Sequence, residues 1–201
     1  MTKIVLFNGP PSSGKDTLAG QLANVIPKSL VVKFAAPLKS LAMHMYCDSN
    51  SQKFYEHDLP EQKNNPSPTF LGKSCRQVQI DISEVYMKPM HGEDVFGKFL
   101  VKTIDKEAEN YDVFFVSDSG FKPEAEVLIN EYGAQNVLLL RLTREGTFFQ
   151  KDPEKPGYDS RNYINLDDLD VESYDIENVE GDVNATVQKV KTIINKFLGS
   201  K

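Results

Sequence analysis

The amino terminus of the chain carries a glycine-rich segment between an apolar run and a helical pattern. Residues 4–7 are continuously apolar, which is typical of a strand buried on both faces of a parallel sheet. Residues 9–15 read Gly-Pro-Pro-Ser-Ser-Gly-Lys, and apolar residues then recur at helical spacing from Leu18 until Pro27. A buried strand that leads through a tight turn into a helix predicts the first unit of a parallel α/β sheet.

The glycine-rich segment matches the pattern G-x-x-x-x-G-K, which cradles phosphate groups. Glycines let the backbone curl so that successive N–H groups converge on one phosphate, and the positive end of the helix dipole points at the same place. We therefore expect the loop to bind the phosphates of a nucleotide, with Lys15 bridging the β- and γ-phosphates. The residues predicted to form this site are Gly9, Pro10, Ser12, Ser13, Gly14, Lys15, Asp16 and Thr17.

The residue after the lysine departs from the usual pattern, in which Ser or Thr follows directly. This chain has Asp16 at that place and Thr17 one place later. The arrangement resembles the variant found in adenylate kinase and related nucleoside monophosphate kinases, where Gly stands at the middle place. We expect the Thr17 hydroxyl to lie near the phosphates and Mg²⁺. The role of Asp16 is left open between orienting Lys15 and pointing outward.

Alternating apolar runs and helical patterns continue along the chain. Further strands are predicted at 30–34, 112–117 and 137–142, and further helices from Pro37, Cys75, about Glu93, Pro123 and Val183. This alternation predicts an α/β fold with a parallel sheet and helices on both faces. The phosphate loop and the other polar residues that follow strands should meet at the carboxyl ends of those strands, where ligands bind in such folds.

Two segments lack this alternation. Residues 49–73 are polar and contain three prolines, so we predict a long loop that is either disordered or functional. Residues 162–188 contain eight acidic residues and no Lys or Arg, so we interpret them as a solvated acidic segment.

An acid and the arginines complete the predicted site. Asp118 ends the third strand, where an acid can hold Mg²⁺ or its waters. The chain has only four arginines among 23 basic residues, and guanidinium groups suit bidentate contact with phosphate. Arg141, Arg144 and Arg161 follow the fourth strand and are expected over the γ-phosphate, whereas Arg76 is expected at a second substrate's phosphate. The predicted catalytic residues are Lys15, Asp118, Arg144 and Arg161.

Composition and missing motifs exclude several classes of function. The net charge of −6 argues against binding a nucleic-acid polymer, and no apolar run approaches the roughly 20 residues that span a bilayer. The two cysteines lack metal-ligand spacing, and the start of the chain turns glycine-rich too early for a signal peptide, so a reduced, cytoplasmic protein is expected. The motifs of α/β-hydrolases and of guanine-reading switches are absent from the sequence.

The sequence offers no convincing general base. An acceptor that is itself a phosphate needs none, because its second pKa lies near 6 and the attacking oxygen is largely ionised at neutral pH. This favours a kinase acting on a monophosphate over a kinase acting on a hydroxyl group.

Motifs in order along most of the chain resemble those of the bacteriophage-type deoxynucleoside monophosphate kinases. They are 9–17, Phe34-Ala-Ala-Pro-Leu-Lys39, Arg76 with Gln79 and Ser83-Glu84, Ser117-Asp118 with Glu124-Ala-Glu126, and 141–161 with Asp159-Ser-Arg161. The resemblance implies a three-layer P-loop kinase fold and transfer of the γ-phosphoryl of ATP, with Mg²⁺, to a (deoxy)nucleoside 5′-monophosphate. It implies donor contacts from Lys15 and Thr17, acceptor contacts from Phe34, Lys39, Arg76 and Gln79, and a lid that carries the later arginines.

On this basis residues 1–201 are interpreted as one kinase domain, with an acceptor-binding insertion at about 49–90 and a lid at about 143–163. The partners expected are small-molecule nucleotides, a homodimer is one option, and a phage-encoded protein would work in the host cytoplasm. Relatives often carry Asp-x-Arg after the third strand, whereas this chain has Asp118-Ser119-Gly120, with Lys122 as one candidate replacement. Two alternatives stay open: a kinase for dephospho-coenzyme A or another small phosphorylated metabolite, and a non-catalytic nucleotide-binding module.

Overall fold

A computed structural model gives the fold and describes residues 2–155, 158–179 and 181–199. The strands are β1 (Lys3–Asn8), β2 (Ser29–Val32), β3 (Val113–Ser119), β4 (Val137–Thr143) and β5 (Glu172–Glu177). The helices are α1 (Lys15–Ala23), α2 (Ala36–Tyr46), α3 (Ser51–Asp58), α4 (Cys75–Ile80), α5 (Lys88–His91), α6 (Val95–Glu107), α7 (Lys122–Tyr132) and α8 (Val183–Phe197). A π-helical segment, Asp81–Met87, joins α4 directly to α5.

The strands of the described residues form one parallel sheet in the order β2-β3-β1-β4-β5. β1 lies at the centre, where Ile4 pairs with Phe114 of β3 on one side and with Val137 of β4 on the other. The crossover through α1 runs across the sheet in the opposite direction to the crossover through α7. Because such crossovers are right-handed, these two helices lie on opposite faces.

Both faces of the sheet are buried. Val5, Phe7 and Leu140 pack with α1 and α8 in one apolar core. The alternating residues Ile4 and Leu6 point to the opposite face and are also fully buried. The predicted α/β fold, with a parallel sheet and helices on both faces, is therefore confirmed.

The chain forms two compact units. The first, called the sheet unit, comprises Met1–Phe34, Gly97–Phe149 and Arg161–Lys201. The second, called the helical unit, comprises Ala35–Phe96 and Gln150–Ser160. The predicted insertion at 49–90 lies within the helical unit. The predicted lid at 143–163 is divided, because its middle belongs to the helical unit and its two ends belong to the sheet unit.

The prediction of a loop over 49–73 is wrong, because the segment contains α3. The side chain of Asn50 caps this helix by accepting a hydrogen bond from Lys53 N at 2.9 Å. Phe54 is 1% exposed and anchors the helix. Because Phe54 is the single buried residue of α3, the sequence shows no recurrence of apolar residues at helical spacing that would predict this helix.

The acidic residues of 162–188 that the structure describes are exposed, as expected for a solvated acidic segment, but the sequence analysis missed the edge strand β5 within it. Among the described residues, β5 pairs with β4 alone, and Leu142 lies opposite Ile176. Within β5 only Ile176 is buried. Charged side chains on an edge strand disfavour its pairing with other chains, so the acidic residues of β5 suit its place at the edge and leave it little apolar pattern.

Helical spacing predicts a core stripe of Leu38, Leu41, Ala42 and Met45 for α2, and half of this stripe is buried. Leu38 and Ala42 are buried, whereas Leu41 and Met45 are exposed. Among the described residues, the structure contains no helix with the length and apolar character needed to cross a membrane.

Candidate functional site

The phosphate loop joins the end of β1 to the start of α1, as the sequence predicts, and close approach of other backbone explains its glycines. Gly14 has φ +93° at the amino-terminal cap of α1, a conformation that favours glycine. A Cβ atom at Gly14 would collide with Nδ2 of Asn178. A Cβ atom at Gly9, which has φ +154°, would lie 2.5 Å from the carbonyl oxygen of Leu142. Larger residues at either position would displace the loop.

The ammonium group of Lys15 lies inside the curled loop. Its Nζ donates hydrogen bonds to the carbonyl oxygens of Gly9 at 2.7 Å and Pro10 at 2.6 Å, and to Ser13 Oγ at 3.3 Å. The side chains of Lys15 and Ser13 are buried. The loop thus combines a buried positive charge with the amino terminus of α1, which is the chemistry that a phosphate tail requires.

Two side chains hold the loop from elements that come later in the chain. Asn178 is buried and donates from Nδ2 to the carbonyl oxygen of Ser13 at 2.9 Å. Arg144, directly after β4, donates from Nη1 to the carbonyl oxygen of Ser12 at 3.4 Å. The structure therefore brings the predicted Arg144 to the phosphate loop, and it adds Asn178, which the sequence analysis missed. An isolated Asn in an acidic stretch gives no sequence signal.

Asn8 is a second residue that the sequence analysis missed. It is fully buried at the end of β1, and its Nδ2 donates to the carbonyl oxygens of Ser119 at 2.9 Å and Asn162 at 2.8 Å. Its Oδ1 accepts a hydrogen bond from Ile164 N at 3.1 Å. Asn8 therefore ties the segment after Arg161 to the carboxyl ends of β1 and β3.

The structure shows where Asp16 points. Its Oδ1 accepts a hydrogen bond from Ser117 Oγ at 2.7 Å and lies 2.6 Å from Lys33 Nζ. Packing of protein atoms around the carboxylate raises the pKa of Asp16, but the hydrogen bonds and charges of Lys33, Ser117 and Lys15 lower it by more, so the net shift is downward. Asp16 thus ties α1 to β3 and to the residue after β2.

Asp118 lies at the carboxyl end of β3. Its Oδ1 accepts a hydrogen bond from the backbone N–H of Phe34 at 2.9 Å, and the Phe34 side chain is buried. Thr17 is exposed in the first turn of α1. A hydroxyl and a carboxylate are the oxygen ligands that Mg²⁺ takes from proteins, alongside waters and phosphate oxygens. Within the described residues no group of three or more His, Cys, Asp or Glu side chains could hold a metal ion. Any Mg²⁺ held by Thr17 and Asp118 would take its other ligands from waters and phosphate oxygens.

Arg141 forms an ion pair between two strands. Its Nε lies 2.6 Å from Oδ1 of Asp175 on β5, and this hydrogen bond raises the pKa of Arg141. Lys122, the candidate replacement for the arginine missing at position 120, donates to both carboxylate oxygens of Asp168 at 2.7 Å. The structure therefore gives both side chains carboxylate partners within the sheet unit.

Arg161 lies against the end of β3. A Cβ atom at Gly120 would come within 2.6 Å of Cβ and Cγ of Arg161, and Asn162 N donates to the carbonyl oxygen of Gly120 at 3.0 Å. The stem of Arg161 thus covers Gly120, two residues after Asp118.

The helical unit contains the predicted acceptor residues Lys39, Arg76 and Gln79. Lys39 Nζ lies 2.5 Å from Oδ2 of Asp58, whose Oδ1 accepts from Gln79 Nε2 at 3.0 Å. The Asp58 side chain is 13% exposed. Asp58 is thus a third residue that the sequence analysis missed, and it links α2, α3 and α4.

Arg76 binds the segment 150–160 of the same unit. Its Nε donates to the carbonyl oxygen of Tyr158 at 2.8 Å, and its Nη2 lies 2.9 Å from Oδ2 of Asp159, which is 2% exposed. A carboxylate so deeply buried needs such a partner. Nearby, burial raises the pKa of Cys75 to about 11, which keeps this thiol protonated at neutral pH.

No protein-family model matches the chain, and no curated protein matches it. Solved structures with a similar backbone include those of two kinases. An unliganded sugar kinase from a Janibacter species has 12% sequence identity and a TM-score of 0.49, over 99% of this chain and 95% of that chain. The dephospho-CoA kinase from Campylobacter jejuni has 14% identity and a TM-score of 0.42, over the whole of both chains. Because these identities and TM-scores are low, the similarities assign neither a substrate nor an activity to this chain.

Proposed function

We propose that the chain is a phosphotransferase that moves the γ-phosphoryl group of ATP to a (deoxy)nucleoside 5′-monophosphate and forms the diphosphate. The observation that carries this proposal is the phosphate loop, in which the Lys15 ammonium lies within the curled backbone at the amino terminus of α1. This combination of charge and backbone donors suits the tail of a nucleoside triphosphate.

The residues of the sheet unit fit ATP and Mg²⁺. Lys15 would contact the β- and γ-phosphates, and Thr17 and Asp118 would supply oxygens to the metal or its waters. When bound, Mg·ATP supplies the phosphoryl group, and its metal neutralises part of the phosphate charge. Asn178 and Arg144 hold the backbone of the loop at Ser13 and Ser12, so the chain itself maintains the curled shape that the phosphates need.

The acceptor would bind through the helical unit. Lys39 pairs with the partly exposed carboxylate of Asp58, to which Gln79 also bonds, and Arg76 pairs with the buried carboxylate of Asp159. A phosphate monoester is largely ionised at neutral pH, so its oxygen can attack without a general base. Catalysis would then consist of positioning and of charge stabilisation by Lys15, Arg144 and Arg161.

The test is ADP release measured over a panel of ribo- and deoxyribonucleoside monophosphates. We expect transfer to at least one monophosphate. Lys15→Met should lower kcat/KM by about 100-fold or more, as the loss of one preorganised charge does elsewhere. Lys189→Met removes an exposed lysine from α8 and is the matched control, which should keep the wild-type rate. A wild-type protein that releases no ADP with any acceptor would contradict the proposal.

A further inference from the structure

The π-helical segment Asp81–Met87 reverses the burial that the sequence pattern predicts. Cys75, Val78 and Ile82 are buried, and Val85 is the next apolar residue at helical spacing. In the structure Val85 is 73% exposed, while Ser83 and Lys88 are 6% and 2% exposed. π-Helical turns are rare and often occur at functional sites. In and directly after the π-helical segment, the polar residues Ser83 and Lys88 are therefore buried, whereas the apolar residue Val85 is exposed.

The buried ammonium of Lys88 has one carboxylate partner in the π-helical segment and another in the turn after α5. Its Nζ donates to Glu84 Oε1 at 2.8 Å and lies 3.8 Å from Glu93 Oε2. Burying a charged pair is weak support for stability, because apolar residues of similar size often serve a core equally well or better. The burial of Lys88 therefore points to a role for the carboxylate that it holds.

Glu84 is held through one oxygen only. Its Oε1 accepts hydrogen bonds from Ser83 Oγ at 2.9 Å and from Lys88 Nζ at 2.8 Å. The Glu84 side chain is 32% exposed, and its Oε2 accepts no hydrogen bond from the residues that the structure describes. The arrangement fixes a carboxylate in place and leaves one of its oxygens available to a hydrogen-bond donor.

The position of Glu84 along the helix relates it to Arg76. Arg76, Gln79 and Ser83 are spaced by three and four residues, so they share one face of the helix. Glu84 follows eight residues after Arg76, somewhat less than roughly 12 Å along the helix axis, because an α-helix rises about 1.5 Å per residue and the π-helical part rises less. This is close to the distance between the 5′-phosphate and the far edge of the base in a nucleoside monophosphate. A nucleotide with its phosphate at Arg76 would place its base near Glu84.

We propose that Glu84 reads the nucleobase of the acceptor by accepting a hydrogen bond from an N–H group on the base edge. Ser83 and Lys88 are positioning residues for this carboxylate. The inference rests on the proposed function, because it takes a nucleoside monophosphate as the ligand. Guanine is the base that suits a carboxylate best, since its N1–H and its exocyclic amino group are adjacent donors.

The test measures equilibrium binding by calorimetry, with GMP and purine riboside 5′-monophosphate, whose base carries no N–H donor on that edge. We expect the wild-type protein to bind GMP at least about tenfold more tightly, as for one charge-assisted hydrogen bond. Glu84→Gln should reduce this preference to about twofold, leaving the binding of the purine analogue unchanged. Glu93→Gln changes the more exposed carboxylate near Lys88 and should keep the preference.

Equal binding of the two nucleotides by the wild-type protein would overturn the inference without any variant, as would an unchanged preference in Glu84→Gln. Failure of the proposed function gives a different result. A protein that binds GMP selectively through Glu84 but releases no ADP refutes the transfer alone. A protein that transfers phosphate but keeps its base preference in Glu84→Gln refutes only the role of Glu84.

Discussion

The contact between Gly120 and Arg161 is the residue-scale feature with the clearest chemical consequence. The Cβ, Cγ and Cδ atoms of Arg161 would lie 2.6, 2.6 and 2.7 Å from a Cβ atom at residue 120. Residue 120 must therefore be glycine for the arginine stem to lie where it does. Asn8 holds the following segment through Asn162 and Ile164, so the backbone beside Arg161 is fixed to the ends of β1 and β3. We interpret Arg161 as a positioned group of the sheet unit, although the resemblance places it in a lid.

Gly120→Ala should lower turnover without weakening ATP binding. The added methyl group must displace Arg161, and a misplacement of this order costs about tenfold or more in kcat when the group acts on the reacting phosphate. Steady-state ADP release and calorimetric ATP titration measure the two effects separately. Gly20→Ala is the matched control, because a Cβ atom at Gly20 in α1 meets no atom within 4 Å. An unchanged kcat in Gly120→Ala would contradict this role of Arg161.

At the scale of elements, Asp16 connects three parts of the sheet unit. It lies in the first turn of α1, and it bonds to Ser117 of β3 and to Lys33 after β2. An acid in the first turn also interacts favourably with the helix dipole. This network fixes the start of α1 against the sheet, and with it the end of the phosphate loop.

The lowered pKa of Asp16 predicts an acid-dependent loss of stability. The carboxylate stabilises the fold above its unfolded pKa, and this contribution is lost as the pH falls through the lower folded value. Asp16→Asn should reduce the free energy of unfolding at pH 7 by less than about 1 kcal/mol, because the side chain is 68% exposed. The difference from wild type should be smaller at about pH 3 than at pH 7. Urea unfolding at both pH values measures this difference in the free energy of unfolding. Asp48→Asn, at an exposed position, is the control.

At the scale of the whole molecule, the proposed donor residues belong to one compact unit, and the proposed acceptor residues other than Phe34 belong to the other. The phosphate loop, Asp118, Arg144 and Arg161 are in the sheet unit, whereas Lys39, Arg76 and Gln79 are in the helical unit. Each unit has its own internal polar contacts. Asn178 donates a hydrogen bond to Ser13 in the sheet unit, and Arg76 forms an ion pair with Asp159 in the helical unit. A ligand of the folded protein stabilises it by mass action, so binding can be followed without measuring transfer.

Saturating Mg·ATP should raise the melting temperature by roughly 5–10 °C. A ligand at about 100 times its Kd adds about 2.7 kcal/mol to the free energy of unfolding. For a chain of this size, each kcal/mol raises the melting temperature by about 2–4 °C. Lys15→Met should abolish most of the shift, whereas Lys189→Met should preserve it. Differential scanning calorimetry measures the change, and a shift of equal size in the Lys15 variant would show that the nucleotide binds elsewhere.

Much of the fold follows from local pattern. The sequence predicts β1, the phosphate loop and α1 because the signal for each lies within a short stretch of chain. These signals are a continuous apolar run, two glycines and apolar residues at helical spacing. The elements that pattern missed, α3 and β5, are each anchored by a single buried apolar residue, Phe54 and Ile176. Such elements depend on their neighbours more than on their own sequence.

The sequence by itself determined the residues that can meet a phosphate, because the loop pattern places Lys15 and the amino terminus of α1 together within a few residues. Only the tertiary structure decided which side chains hold that site. Asn178 is 165 residues from Ser13, and Asn8 is 154 residues from Asn162. A polar side chain has no periodicity that reveals so distant a partner, because burial and hydrogen bonding come from the folded chain as a whole.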